Sequence, residues 1–292
     1  MKPLAPIRPI RLVPVLALLL AACNRQPAPD APPPPGPGSA ADTSTTVIAA
    51  PPTGATSGQL PGDHAVTRHY KISVTLPTLP EGEQPLADAL RTTADNVKRD
   101  FLKSLPDPRQ FPEFAERRFE LLLKFRIAAN TAAFTSVRET GMQDTGGAHP
   151  VPIEAAFVFD RHAGKLVRLD DLFARPDAAR KALANFARGV LLRKFMANAP
   201  KPSDGSSPDA IRGWKSSMLQ MLNDGTQPTT VNFSMFVVRT GEAETAPSPG
   251  ITLVFPPYQV APYVYGTQTV DVPASVFATF LQVGYRGDFA SD

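Results

Sequence analysis

The chain has 292 residues, with 30 Lys and Arg, 27 Asp and Glu, and a single cysteine. Three of the basic residues, Lys2, Arg8 and Arg11, lie at the extreme N-terminus, and without them the remaining 27 balance the 27 acidic residues. The balance excludes the strongly basic surface typical of nucleic-acid binding, and one cysteine excludes an intramolecular disulfide.

The first 22 residues have the pattern of an export signal, because basic residues precede an apolar run over residues 12–22. The run ends in Leu20-Ala21-Ala22-Cys23. This ending resembles the lipobox of bacterial lipoproteins, in which the cysteine receives a diacylglycerol and becomes the N-terminus. It predicts a signal peptide over residues 1–22 and lipidation of Cys23. The alternative, a transmembrane anchor, needs ~20 apolar residues. Because Asn24 is not the aspartate that commonly retains such proteins in the inner membrane, we expect an outer-membrane lipoprotein facing the periplasm in a cell with two membranes.

Residues 23–62 follow as a segment rich in Pro, Ala, Ser, Thr and Gly, with charges only at Arg25, Asp30 and Asp42. Such a composition cannot bury an apolar core. Proline-rich stretches favour extended, semi-rigid conformations, and the Ser/Thr/Gly-rich remainder favours flexible ones. The segment is therefore predicted to be a disordered tether between the lipid and a folded domain.

The first half of the predicted domain, residues 63–288, alternates between two periodicities. Apolar residues at alternate positions over 64–76 predict one strand. Spacings of three and four from Leu86 to Leu105 predict an amphipathic helix that ends before Pro106. Alternation returns over residues 115–169, with one face running from Phe119 to Ile127 and turn signals at 130–131 and 160–164. This pattern predicts an antiparallel meander in which residues 144–150 connect two strands.

The second half begins with two predicted helices, one starting at Pro176 and one capped by Ser207 and ending near Gly225. Strands are predicted at 232–238, 251–255 and 267–272, followed by a short helix over 273–281 and a polar tail. The order strands, helices, strands predicts an α+β fold, mostly antiparallel sheet with packed helices.

Three segments occur in a characteristic order: FTSVRETGMQDTGGAHP, FDRHAGKLVRLDDLF and FPPYQVAPYVYGTQTVDVP. Over roughly residues 65–285 the chain resembles the RsiV-like family of domains of unknown function, typified by the extracellular part of a lysozyme-sensing anti-sigma factor. Related domains precede the catalytic part of some peptidoglycan deacetylases. The resemblance implies recognition of a muramidase or of peptidoglycan. The chain has neither the cytoplasmic sigma-binding segment and transmembrane helix of RsiV nor a following deacetylase domain, so we expect a lone envelope module.

Gly146, Gly147 and His149 lie in the predicted loop DTGGAHP and are candidate binding residues. Glycines allow close backbone approach to a ligand, and His149 has the chemistry of a general base or metal ligand. In the alternative interpretation both glycines supply positive φ and the imidazole bonds to nearby backbone. No nucleophile elbow or H-E-x-x-H motif accompanies the histidine. We therefore expect no catalytic residue and no metal site; the rival hypothesis is a hydrolase or deacetylase that pairs His149 with Asp160.

Tyr258, Tyr263 and Tyr265 form the densest aromatic cluster, together with Pro256, Pro257 and Pro262. Tyrosines on a stiff backbone favour a surface that stacks on sugars or anchors a protein partner. The alternative is that these rings fill the core, which is also the expectation for Trp214. We predict that the binding surface is the tyrosine segment beside the His149 loop.

Acidic residues offer weaker candidates. Asp170 and Asp171 suggest the paired carboxylates of a glycosidase, but adjacent strand residues point to opposite faces, so turn or cap roles are favoured. A tight binder of a basic muramidase would need a local acidic face, for which the candidates are Glu81, Glu83, Asp170 and Asp171. Apart from the lipid no cofactor is expected, and a structural subunit of an envelope complex is a further alternative.

Overall fold

The computed structural model describes residues 62–107, 109–114 and 116–290. The predicted signal peptide, Cys23 and all of the predicted tether except Gly62 lie outside these residues. Across the described ranges, no helix combines the length and hydropathy that crossing a membrane requires.

A six-stranded sheet forms the first half of the domain. Its strands are adjacent in chain order: β1 (His64–Val66), β2 (Tyr70–Thr75), β3 (Phe119–Asn130), β4 (Phe134–Asp144), β5 (Val151–Asp160) and β6 (Lys165–Val167). β2 and β3 are parallel, and every other neighbouring pair is antiparallel. The predicted meander and its loop at 144–150 are therefore present.

The prediction of a single strand over residues 64–76 is wrong, because this segment folds back on itself as the hairpin of β1 and β2. Thr67 stabilises the turn: its Oγ1 accepts hydrogen bonds from the backbone N of His69 and Tyr70, at 3.2 and 2.9 Å. The fold-back leaves Val66 65% exposed, off the face that the alternating pattern assigned to it. Side chain–backbone bonds of threonine favour turns in this way.

Helix α1 (Gln84–Ser104) connects β2 to the parallel strand β3 and covers one face of the sheet. Parallel neighbours need such a crossover. The predicted stripe is buried against the alternating face of β3: Leu86, Leu90, Ala94, Phe101, Phe119, Leu121, Leu123 and Phe125. Ile127, predicted on the same face, is 37% exposed because the register shifts between Ile127 and Ala129.

A second, antiparallel sheet contacts the first through its strand β7 (Phe236–Val238), which packs on β3, β4 and β5. It continues with β8 (Gly250–Phe255) and β9 (Gln268–Pro273). Helix α2 (Pro176–Ala197) packs on β9 and on α3 (Pro208–Gly225), whose predicted cap forms when Ala210 N donates to Ser207 Oγ at 3.2 Å. Trp214 of α3 is partly buried against this core. The α+β prediction is confirmed.

The C-terminal prediction is only partly correct. Residues 273–281 form two short 3-10 turns rather than one helix, since Phe277 is held in the core by ring contacts with Phe173 and Phe289. The predicted polar tail also packs: Phe289 is 2% exposed, and Tyr285 donates a 2.9 Å hydrogen bond to Asp160. A few core contacts decide the path of a segment too short for an independent helix.

Candidate ligand-binding surface

Asp144 ends β4 and fixes the start of the glycine-rich loop. Its Oδ1 accepts hydrogen bonds from Gly146 N at 3.0 Å and from Arg117 Nη2 at 2.9 Å. These bonds, led by the one from the Gly146 backbone, hold the pKa of Asp144 below its usual value. The loop therefore begins as a side-chain-stabilised turn rather than as an open connection.

The two glycines of the loop have different roles. Gly146 has φ +98°, and a Cβ at that position would lie 3.3 Å from ring carbons of both Phe114 and Phe119. Gly147 has no positive φ and is exposed. The prediction that both glycines supply positive φ is thus correct for Gly146 and wrong for Gly147.

The tyrosine segment, residues 256–267, connects β8 to β9 and is anchored at its centre. Val260 and Ala261 are buried, and Gln259 Nε2 donates to the carbonyls of Gly225 and Asn232, both at 2.9 Å. On either side of this anchor the chain returns to the surface, where Tyr258 is 46% and Tyr263 38% exposed.

Tyr258 has φ +71°. It is the only non-glycine residue in the described part of the chain with a positive φ. A bulky side chain in this region costs on the order of 1–3 kcal/mol, and such residues cluster at functional sites. The surrounding structure holds it there through the anchor at Gln259 and the prolines at 256 and 257.

His149, Tyr258 and Tyr263 meet at the surface, and we call these three side chains the aromatic patch. The His149 and Tyr263 rings stack with centroids 4.6 Å apart and planes at 20°. Tyr258 and Tyr263 stack at 5.5 Å and 30°. Tyr258 Oη also lies 3.4 Å from His149 Nε2. Each of the three rings therefore contacts the other two.

The hydrogen bonds of His149 define its neutral tautomer. Nδ1 lies 3.1 Å from the carbonyl oxygen of Pro150. A carbonyl only accepts, so Nδ1 carries the proton and donates it. Nε2 is then the acceptor for the Tyr258 hydroxyl. Nδ1 thus bonds to nearby backbone, as the alternative interpretation of this loop expected, whereas the partner of Nε2 is a side chain of the tyrosine segment.

Tyr265 belongs to the core rather than to the aromatic patch. Its ring packs edge-on against Phe195 of α2 at 5.6 Å, and it is only partly exposed. The sequence left open whether the tyrosines line a surface or fill the core. The structure divides them, with Tyr258 and Tyr263 at the surface and Tyr265 against the core.

A polar cluster links strand β5, which follows the His149 loop, to the tyrosine segment, and no sequence pattern predicted it. Glu154 of β5 accepts a 2.7 Å hydrogen bond from Thr267 Oγ1, at the end of the tyrosine segment, and a 2.6 Å bond from Arg138 Nη2. The side chain of Glu154 is only 12% exposed. The strand register offers a signal in retrospect: Glu154 pairs with Thr140, which places it diagonal to Arg138 on the same face.

Glu139 of β4 is a buried carboxyl on the opposite face of the same sheet, paired in register with Phe125 and Ala155. It is 1% exposed, and its Oε1 has no hydrogen-bond partner. Burial, and to a lesser degree the charge of Glu154, raises the pKa of Glu139 to about 7.

The proposed catalytic pair of His149 and Asp160 is not assembled. His149 precedes β5 and Asp160 ends it, a separation of roughly 30 Å for ten extended residues. Asp160 is 2% exposed and accepts hydrogen bonds from Ala163 N and Tyr285 Oη, both at 2.9 Å. It therefore acts in the turn, as its position in the sequence indicated.

The candidate acidic residues do not form one free acidic face. Glu83 is buried and accepts hydrogen bonds from Thr135 and Arg161 at 2.6 and 2.8 Å. Asp170 forms an ion pair with Arg180 at 2.5 Å, and Asp171 Oδ2 accepts a 2.8 Å hydrogen bond from the Arg168 backbone N. Asp170 is thus an ion-pair residue and Asp171 a turn residue, while Glu81 is exposed.

Among the described residues, no group of three or more His, Cys, Asp or Glu has metal-binding geometry.

Fold and surface together define a two-sheet α+β domain with an exposed aromatic patch beside a glycine-rich loop. Residues 170–275 match the model of a protein family of unknown function, DUF3298. A domain of unknown function is therefore present, and the matched range includes the tyrosine segment but not the His149 loop. The finer resemblance to the RsiV-like family stays a prediction.

Two solved structures of DUF3298 family proteins are similar to the chain. One, from Pseudomonas aeruginosa PAO1, is 16% identical with a TM-score of 0.42 and covers 67% of this chain and 71% of its own. The other, from Bacteroides fragilis NCTC 9343, is 15% identical with a TM-score of 0.42 and covers 68% and 70%. No curated protein matches the chain at a significant level.

Proposed function

We propose that this protein is a lipid-anchored lipoprotein of the cell envelope whose folded domain is a non-catalytic binding module. The aromatic patch is the observation that carries the proposal. Three rings from two loops that are distant in the chain contact one another at the surface, and contiguous exposed apolar groups mark interaction sites. Exposed, organised aromatic residues are typical of binding hot spots.

The envelope location rests on the N-terminal sequence. A diacylglycerol and a further acyl chain on Cys23 supply three hydrocarbon chains, more than the two that stable membrane attachment needs. The proline-rich segment then holds the domain away from the membrane, on the periplasmic side of the outer membrane. Changing Cys23→Ser is expected to leave the protein unprocessed and mislocalised, as fractionation and mass measurement of the N-terminal peptide will show. An unchanged mass and unchanged partitioning into the detergent phase would refute lipidation.

The partner is expected in the cell wall, as a muramidase or as peptidoglycan itself. This expectation rests on the resemblance to the RsiV-like family and on the export signal. No nucleic-acid partner is proposed, because the charges of the processed chain balance.

A non-catalytic role is supported by the partners of His149. A general base needs a free nitrogen within reach of the substrate and is commonly oriented by a carboxylate. Here the two nitrogens of His149 contact a backbone carbonyl and a phenol. Release of fragments or acetate from peptidoglycan by the wild-type protein, abolished by His149→Ala, would overturn this part of the proposal.

Titration of the detergent-purified chain with lysozyme and with purified muropeptides tests the proposed function. We expect binding of at least one of them that weakens in Tyr263→Ala and is retained in Val66→Ala, a change at an exposed position on β1. Binding no tighter than about millimolar, which is some 4 kcal/mol, would reject the proposal.

A further inference from the structure

We infer that the aromatic patch binds the glycan strand of the cell wall, by stacking against the C–H faces of its sugar rings, rather than a muramidase or a peptide. The inference rests on the proposed function and specifies the ligand of the same surface. Charge, hydrogen bonding and rigidity of the patch each favour a carbohydrate face.

The patch is uncharged. Neither the loop residues 145–152 nor the tyrosine segment, residues 256–267, contains an Asp, Glu, Lys or Arg. Common muramidases are strongly basic, and recognition of a basic protein relies on complementary acidic groups. Of the candidate acidic residues, Glu83 is buried and Asp170 is paired with Arg180. A ligand face without charge fits this surface better.

The polar atoms of the patch are largely directed inward. Both nitrogens of His149 and the hydroxyl of Tyr258 are used in contacts within the protein. The side chains of Tyr258 and Tyr263 are nevertheless 46% and 38% exposed. The face of an aromatic ring is negative, whereas the axial C–H groups of a pyranose with equatorial substituents carry a partial positive charge. An exposed tyrosine ring is therefore complementary in charge to such a sugar face.

The patch is organised before any ligand arrives. Tyr258 is fixed at φ +71°, Gln259 anchors the segment to the Gly225 and Asn232 carbonyls, and Tyr263 is stacked on two rings. Rigid aromatic side chains lose little entropy when they bind. A patch that is already ordered therefore pays less conformational entropy on binding than a mobile one would.

Glu154 and Arg138 are linked to the end of the tyrosine segment through Thr267, and they offer polar groups to sugar hydroxyls. Glu154 accepts from Thr267, which directly follows the tyrosine segment, and both charged side chains are partly exposed, at 12% and 25%. Aromatic stacking combined with a few polar groups is typical of small-molecule sites.

The experiment is calorimetric titration of the full chain in detergent with the β-1,4-linked tetramer of N-acetylglucosamine, beside a parallel titration with lysozyme. We expect the tetramer to bind wild type and Tyr263→Phe to a similar extent, since the phenylalanine ring keeps the stack. Tyr263→Ala is expected to weaken binding about tenfold, by loss of one ring contact. His149→Ala, at an exposed side chain, is an independent variant, and thermal unfolding checks that each variant folds.

The outcomes separate this inference from the proposed function. Tetramer binding that depends on Tyr263 and His149, and is unchanged in Val66→Ala, supports both. Lysozyme binding that depends on these residues, without tetramer binding, overturns the glycan inference and leaves the binding function standing. Tetramer binding that none of the patch variants affects also overturns the inference. If neither probe binds and purified muropeptides also fail, both proposals are lost.

Discussion

The two ends of strand β5 each lie beside a histidine, yet they differ in exposure, in charge and in hydrogen bonding. At the N-terminal end, His149 stacks on Tyr263 at an exposed, uncharged surface. At the C-terminal end, His162 lies 3.9 Å from Asp288, near the buried Asp160. There, burial and the hydrogen bond to Asp160 raise the pKa of Tyr285 to about 12.

The difference shows how one strand carries both a structural and a candidate functional site. At the Asp160 end, buried polar groups hold the C-terminal tail in place and are inaccessible to a ligand. At the His149 end, the aromatic rings and their hydrogen bonds are exposed. Mutations at the first end should therefore affect stability, and mutations at the second should affect binding.

The largest stability effect is expected for Asp160→Ala. The change leaves Ala163 N and Tyr285 Oη without their acceptor, and hydrogen bonds to a charged group contribute about 1.5–3 kcal/mol each. We expect a loss of about 3 kcal/mol in the free energy of unfolding, measured by urea denaturation. The matched change His162→Ala, at a side chain 70% exposed, should cost less than about 0.5 kcal/mol. Equal effects at both positions would contradict a structural role that is specific to Asp160.

Glu139 predicts a pH dependence of the free energy of unfolding. Its pKa is raised from 4.5 to about 7 in the folded protein, so between these values the native state holds a proton that the unfolded state has lost. Stability therefore falls as pH rises from about 4.5 to 7, by about 3 kcal/mol in total. Urea denaturation at pH 5 and pH 8 should show this fall in wild type relative to Glu139→Gln. The same pH profile in both proteins would contradict the raised pKa.

Gly146 and Gly147 provide a matched pair at the loop end. Gly146→Ala places a Cβ at φ +98° and 3.3 Å from two phenylalanine rings, whereas a Cβ at Gly147 has only the His149 carbonyl oxygen nearby, at 3.8 Å. We expect Gly146→Ala to lower the free energy of unfolding by about 1–2 kcal/mol, and Gly147→Ala to change it by less than about 0.5 kcal/mol. Comparable thermal unfolding of the two variants would show that the loop is not held by Gly146.

Apart from the control variants, Thr267→Val should have the smallest effect on the free energy of unfolding, about 1 kcal/mol, because it removes one hydrogen bond to Glu154. Because Thr267 joins the tyrosine segment to β5, this variant should also weaken ligand binding more than it weakens the fold. Thr269→Val, at an exposed position of β9, is the control. If both threonine variants bind ligand as wild type does, the cluster around Glu154 does not support the patch.

Local patterns predicted the elements well where one periodicity runs unbroken. The stripe from Leu86 to Phe101 and the alternation from Phe119 to Phe125 gave α1 and β3 because each pattern fits only one backbone period. The predictions failed where a single side chain or a core contact decides the path. Thr67 turns the first strand into a hairpin, and Phe277 holds residues 273–281 in 3-10 turns.

The sequence by itself determined the fold class, the glycine-rich loop between two strands and the tyrosine segment as candidates for one surface. Hydrophobic periodicity, turn residues and composition are local properties, and the sequence contains all of them. Only the tertiary structure decided that Tyr258 and Tyr263 meet His149, that Tyr265 turns instead to Phe195, and that Glu154 joins the two segments. The contacts of His149 and Glu154 with the tyrosine segment link residues more than a hundred positions apart, and they depend on how two sheets pack, which no local pattern encodes.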